Sequence, residues 1–208
     1  MESGIFISYR YNYREIDGVG VFQKELEEDY LCQGIGKWIP SCSEGGEMWL
    51  TLFITLPLGH FLAECLKDMV KDVVVSTGKR YFLEPLKKAI RKLRKRNEAS
   101  WGLKIQTCVF KFNDVEINIG AITQDELERI EEILSKVNEV KDKLNPKNGF
   151  QITRIELPAE MLPANGQYCL DSWRFDNNDL LRSPWIITYA DNHKSLYLPT
   201  EGKEHEID

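Results

Sequence analysis

A chain of 208 residues and 24.2 kDa has room for one sizeable core or two small ones, and is too short for a large multidomain enzyme. With 42% hydrophobic and 29% charged residues it has the composition of an ordinary globular protein, which excludes collagen-like, low-complexity and wholly disordered chains. A net charge of −6, from 33 acidic against 27 basic residues, argues against a surface given over entirely to nucleic acid.

Ile5-Phe6-Ile7-Ser8-Tyr9 is a β-branched and aromatic run bounded by Gly4, and reads as a strand. Phe22, Leu26 and Tyr30 recur at helical spacing with Glu25, Glu27, Glu28 and Asp29 turned away, so an acidic amphipathic helix is expected over residues 22–31, stopped by Gly34 and Gly36. Lys37 to Ile39 reads as a brief strand, and residues 41–46 as a loop of small residues. From Met48 to Ala63 no residue carries a formal charge. This stretch is shorter than the roughly 20 apolar residues that span a bilayer, and Pro57, Gly59 and His60 interrupt it. It is expected as a core helix bent near Pro57 and resuming through Leu62, Leu66, Met69 and Val73, with membrane insertion as the alternative.

Residues 81–96 place Phe82, Leu86, Ala89, Ile90 and Leu93 on one helical face. Between Lys79 and Arg96 nine basic residues accompany a single acid, Glu84, so this helix is strongly basic. Alternating runs at 105–109 and 115–119, with Asn113-Asp114 between them, read as a β-hairpin. Thr123 and Glu126 form a capping-box pattern, after which Leu127, Ile130, Leu134, Val137, Val140 and Leu144 make an apolar stripe ending before Pro146. Beyond that come short β runs at 150–157, 167–175, 185–189 and 195–198, with a turn at Asp191-Asn192. Residues 201–208 are acidic and have little to bury, and read as a mobile tail.

The expected fold class is α+β, a helix-rich N-terminal part packed on a mostly antiparallel β C-terminal part. The division is 1–98 helix-rich region with an N-terminal strand, 99–200 hairpin, helix and antiparallel strands, and 201–208 tail, with one intimate domain as the alternative.

The five cysteines are widely spaced without a Cys-x-x-Cys pair, and the three histidines, His60, His193 and His205, lie far apart. No metal and no cofactor is expected, and the free thiols with an N-terminus lacking a secretory pattern point to the cytoplasm. Lys87, Lys88, Arg91, Lys92 and Lys95 are the candidates for binding an anion or a partner, with the phosphates of anionic lipid or nucleic acid as the anions. The competing expectation pairs them with the acidic face from Asp125 to Asp142. Trp49, Phe53, Leu56 and Phe61 are the apolar interface candidates, and Tyr168, Trp173, Trp185, Tyr189 and Tyr197 read as sheet core rather than a stacking platform. Asp171, Asp176 and Asp179 read as turn or cap residues.

Two short pieces of the first 90 residues resemble TIR domains. Phe6-Ile7-Ser8-Tyr9-Arg10 looks like their first strand, and Val73-Val74-Val75-Ser76 followed by Tyr81 and Glu84 looks like the segment carrying their catalytic glutamate. The resemblance implies an enzyme in which Glu84 serves cleavage of the glycosidic bond of NAD. The residues themselves favour a soluble, cytoplasmic protein that acts by binding another protein or itself. A membrane-associated protein, inserting residues 48–63 with the basic helix on anionic lipid, is the other alternative.

Overall fold

The computed structural model describes residues 5–12, 17–37, 49–55, 83–97, 104–112, 114–148, 150–158 and 180–207. It falls into two compact units, one of Met1–Asn113 with Ala121–Glu131 and one of Asp114–Gly120 with Glu132–Asp208.

In the first unit the strands are β1 (Phe6–Asn12), β2 (Leu31–Lys37), β3 (Trp49–Thr55) and β4 (Lys104–Lys111), in the order β2-β1-β3-β4. The unit's helices include α1 (Val19–Glu27) and α2 (Glu84–Arg96). β1 and β2 are parallel with α1 between them in the chain, and β3 and β4 are parallel with α2 between them. β1 and β3 run antiparallel. Pleating sends alternate residues to one face. Ile7 and Tyr9 of β1, Leu50, Leu52 and Ile54 of β3, and Ile105, Cys108 and Phe110 of β4 are all buried there. Phe22 of α1 meets Tyr9 edge-on at 5.2 Å, which sets α1 on this face.

Gly34 of β2 lies opposite Tyr9, whose phenol occupies the place a side chain would take: a Cβ on Gly34 would sit 2.5 Å from the Tyr9 hydroxyl oxygen. The glycine is therefore what lets a large ring lie flat over the outer strand. Gly18, at φ 80°, opens α1 in a left-handed conformation with the Arg96 side chain against it. Next to it Asn97 closes α2. Its amide donates to Asp17 O (3.0 Å) and Leu93 O (2.8 Å), and its Oδ1 accepts from Asp17 N (2.9 Å), so a buried polar side chain is satisfied three times over.

β5 (Glu116–Ile122) begins in the second unit, while its last two residues, the following α3 (Gln124–Glu128) and the first residues of the next helix belong to the first unit. Then come α4 (Ile130–Asn148), β6 (Ile152–Leu157), β7 (Trp185–Tyr189), β8 (Lys194–Leu198) and β9 (Lys203–Ile207). The order is β5-β6-β7-β8-β9, with β5 and β6 parallel and the later pairs antiparallel. The capping box forms as the spacing predicts: Thr123 Oγ1 accepts from Glu126 N (3.2 Å) and Glu126 Oε2 from Thr123 N (2.8 Å). A break at Arg129 divides the predicted helix in two, and α4 continues through Pro146 rather than ending at Leu144. Ile133, Leu134, Val137, Val140 and Leu144 form its buried stripe. The aromatic residues Trp185, Tyr189 and Tyr197 are buried in the sheet, the Trp185 indole donating to Leu180 O at 2.9 Å.

These observations correct the expected fold class. Among the described residues strand exceeds helix, and the N-terminal part is a mixed sheet with two helices rather than helix-rich. Three parallel strand pairs have helices between them in sequence, so the C-terminal part is not simply antiparallel either. The main cause is the uncharged stretch: residues 49–55 are strand β3, where a helix was expected. An unbroken apolar run does not reveal its period. The β-branched and aromatic content of Thr51, Phe53, Ile54 and Thr55 suits a strand with neighbours on both sides. β2 also replaces the expected helix end and glycine stop. The tail expected to be mobile forms β9, turned by Gly202 at φ 65° and paired with β8. The helix expected through Leu62 to Val73, the strand at 167–175 and the turn acids Asp171, Asp176 and Asp179 lie outside the described residues.

Candidate interaction surface

The opposite face of the first unit's sheet carries Phe6, Ser8 and Arg10 of β1, Leu31, Gln33 and Ile35 of β2, and Thr51, Phe53 and Thr55 of β3. Register places Phe6 directly beside Leu31 and Arg10 beside Ile35. Exposure of Leu31 is 67%, of Ile35 42% and of Phe6 37%, high for large apolar side chains on one face of a sheet. Phe53 is half-buried, and the Arg10 guanidinium lies over its ring at 5.0 Å from the centroid. Among the described residues no strand pairs with the outer side of β2. Edge strands are commonly protected by charge, proline or a bulge. From Leu31 to Gly36 β2 has no charge and no proline, and its register with β1 is unbroken.

Of the predicted apolar candidates, Phe53 thus belongs to this face. Trp49 opens β3, and Leu56 and Phe61 lie outside the described residues. Leu50, Leu52 and Ile54 of the same stretch are buried in the first unit's own core. No helix among the described residues is long and apolar enough to cross a membrane.

The predicted basic site is largely occupied by the protein's own carboxylates. Lys87 is a correction: it is 3% exposed, and its ammonium donates to Glu131 Oε2 and to Glu128 O (2.8 Å), so it is closed to an external anion. Burial pushes the Glu131 carboxyl above its ordinary range, and Lys87 beside it pulls it back. Arg91 contacts Glu128 at 2.8 Å and Glu84 at 2.7 Å, and these two carboxylates hold its guanidinium charged. Lys92 meets Glu25 at 2.7 Å. Lys88 and Lys95 are exposed on α2. Glu84, the residue singled out by the TIR resemblance, stands at the first turn of α2 with its carboxylate on Arg91.

The second unit contains a polar cluster invisible to sequence spacing. The Tyr189 hydroxyl and the fully buried Ser195 hydroxyl both donate to Glu204 Oε1, joining β7, β8 and β9. His193 stacks on Tyr189 at 4.4 Å with its Nδ1 3.3 Å from Asp191. Among the described residues no group of histidine, cysteine and carboxylate side chains is arranged to hold a metal.

Sequence reading missed Phe6, Leu31 and Ile35 as an exposed set because it did not recognise β2. The period-two placement of Leu31, Gln33 and Ile35 was the available signal, but Gly34 and Gly36 obscured it. No family model, curated protein or solved structure matches the chain.

Proposed function

We propose that this protein works in solution in the cytoplasm by binding another protein chain through the open face and outer edge of the β2–β1 pair. The carrying observation is that Leu31 and its register partner Phe6, with Ile35 further along the same face of β2, are all exposed. Apolar side chains grouped this way lose little by binding and gain from leaving water. The free thiols of Cys32 and Cys108 agree with a reducing compartment. The pairing of Lys87, Arg91 and Lys92 with internal carboxylates favours a protein partner over an extended phosphate backbone.

The test compares the wild type with Leu31→Lys and with Phe6→Lys in cross-linked cell extracts, read by quantitative mass spectrometry. A charge forced into an apolar contact is expected to reduce recovery of the bound chains about tenfold or more, the loss a central contact residue typically causes. Lys88→Glu, on exposed α2, serves as the control and should leave recovery unchanged. Equal recovery with all four proteins would overturn the assignment.

A further inference from the structure

We infer that the occupant of the β2 edge is a second copy of this chain, joined by antiparallel β2–β2 pairing about a two-fold axis at Gln33. The inference rests on the proposed binding function and names its partner.

The backbone decides which groups are available. Leu31 N donates to Ile5 O at 3.2 Å, so Leu31 aims its backbone polar groups at β1. Successive residues of a strand alternate in this direction, so Gln33 and Ile35 follow Leu31, while Cys32, Gly34 and Gly36 aim their N–H and C=O groups outward. An antiparallel copy can be accepted only in a register that sets these outward residues against one another. Placing the axis at Gln33 does so: Cys32 of each copy exchanges hydrogen bonds with Gly34 of the other. The same register sets Leu31 against Ile35 twice, in non-hydrogen-bonded positions, where side chains approach most closely. These are the two most exposed apolar residues of the strand, at 67% and 42%.

Charge agrees with this register. The chain reads Glu27-Glu28-Asp29 before the strand and Lys37 at its end, with none between Leu31 and Gly36. Antiparallel pairing about Gln33 brings the end of each strand that follows the acidic turn at Glu28 and Asp29 to the end of the other copy's strand that carries Lys37. A parallel copy would set like charges side by side. A two-fold contact must be complementary to itself, and a strand with opposite charges at its ends and apolar residues symmetric about its centre meets that condition.

The experiment is sedimentation equilibrium on the full chain across roughly 1 to 100 µM, where a micromolar contact passes through half-saturation. The wild type is expected to reach dimer mass. Gln33 is exposed and faces itself across the axis, so Gln33→Lys alone and Gln33→Glu alone are each expected to stay at monomer mass. An equal mixture of the two is expected to restore the dimer, which also shows that both variants fold. A wild type that stays monomeric overturns the inference, as does a dimer that survives both single variants or a mixture that remains monomeric. The broader reading is separable: if the wild type is monomeric yet loses its bound chains on Leu31→Lys, the binding reading stands and the surface binds a different protein, whereas equal recovery with all variants removes the binding reading itself.

Discussion

The two units each carry an outermost strand and each bury polar groups, and they treat both in opposite ways. In the first unit β2 presents Leu31, Gln33 and Ile35 on its open face, with no charge before Lys37. In the second, β9 reads Lys203-Glu204-His205-Glu206-Ile207, with an ionisable group at every position but the last. Charge along an outermost strand discourages a further strand from adding, so β9 is protected and β2 is receptive. Their interiors differ in the same sense. The first unit buries both partners of an ammonium–carboxylate pair, Lys87 with Glu131, whereas the second buries Lys141 against the exposed carboxylate of Asp114 and a neutral hydroxyl, Ser195, beneath a half-exposed carboxylate, Glu204.

The largest expected effect tests the buried pair. Lys87→Met leaves the Glu131 carboxylate, 4% exposed, without its cation, and should cost about 3–5 kcal/mol near neutral pH in urea denaturation. The Glu131 pKa is already raised by burial, and loss of Lys87 raises it further. A carboxyl with a folded-state pKa above its unfolded value stabilises fully at low pH and loses that contribution as pH rises through the folded value. The deficit of Lys87→Met should therefore shrink toward acid pH, and the double change with Glu131→Leu should recover most of it. A variant as stable as the wild type at neutral pH would show that the pair is not desolvated.

A smaller loss is expected at the charged edge. Glu204→Ala removes the acceptor of both the Ser195 and Tyr189 hydroxyls, and leaving a buried donor unmet costs about 2 kcal/mol. Because Glu204 sits on β9 itself, amide hydrogen exchange should quicken along Lys203–Ile207 before it quickens in β7. Uniform acceleration across the second unit would mean that the cluster holds the whole sheet and not its edge.

The comparison also shows where sequence reading succeeds. α4 was legible because its buried positions repeat at helical spacing from Ile130 to Leu144, and β7 and β8 because aromatic and aliphatic residues alternate around the Asp191-Asn192 turn, where Asn192 takes φ 67°. β2 and β9 were not, since an outermost strand is freed from half the constraints that make a pattern. One is interrupted by Gly34, which fits beneath Tyr9, and the other has ionisable groups from Lys203 to Glu206. β3 failed for the opposite reason, an apolar run too continuous to show any period. Of the candidate site, the basic and acidic helices could be seen as opposites, but that Lys87 is internal depends on the approach of α2 to the start of α4. Nothing local encodes that approach.

The smallest effect separates burial from pairing as a source of perturbed acidity, and α4 carries one case of each. Glu131 lies near its start, buried, with its carboxyl pushed up. Glu139 lies one face round on the exposed side, where hydrogen bonds from Lys143 and Lys136 draw its carboxyl from 4.5 down to about 2. The sign is opposite: a depressed folded-state value gives stability that is present above the ordinary carboxylate range and lost as pH falls toward about 2. Since both lysines and Glu139 are well exposed, salt and solvent screen the pair and its share of stability is slight. The titration itself is the sharper readout. Carboxyl carbon chemical shifts should give Glu139 a midpoint below the ordinary range and Glu131 one above it, and Lys143→Ala should move Glu139 upward while leaving Glu131 in place. If added salt returned both midpoints to the ordinary range, Glu131 would be as solvated as Glu139, and the contrast between a charge-fastened interior and a charge-protected surface would fall.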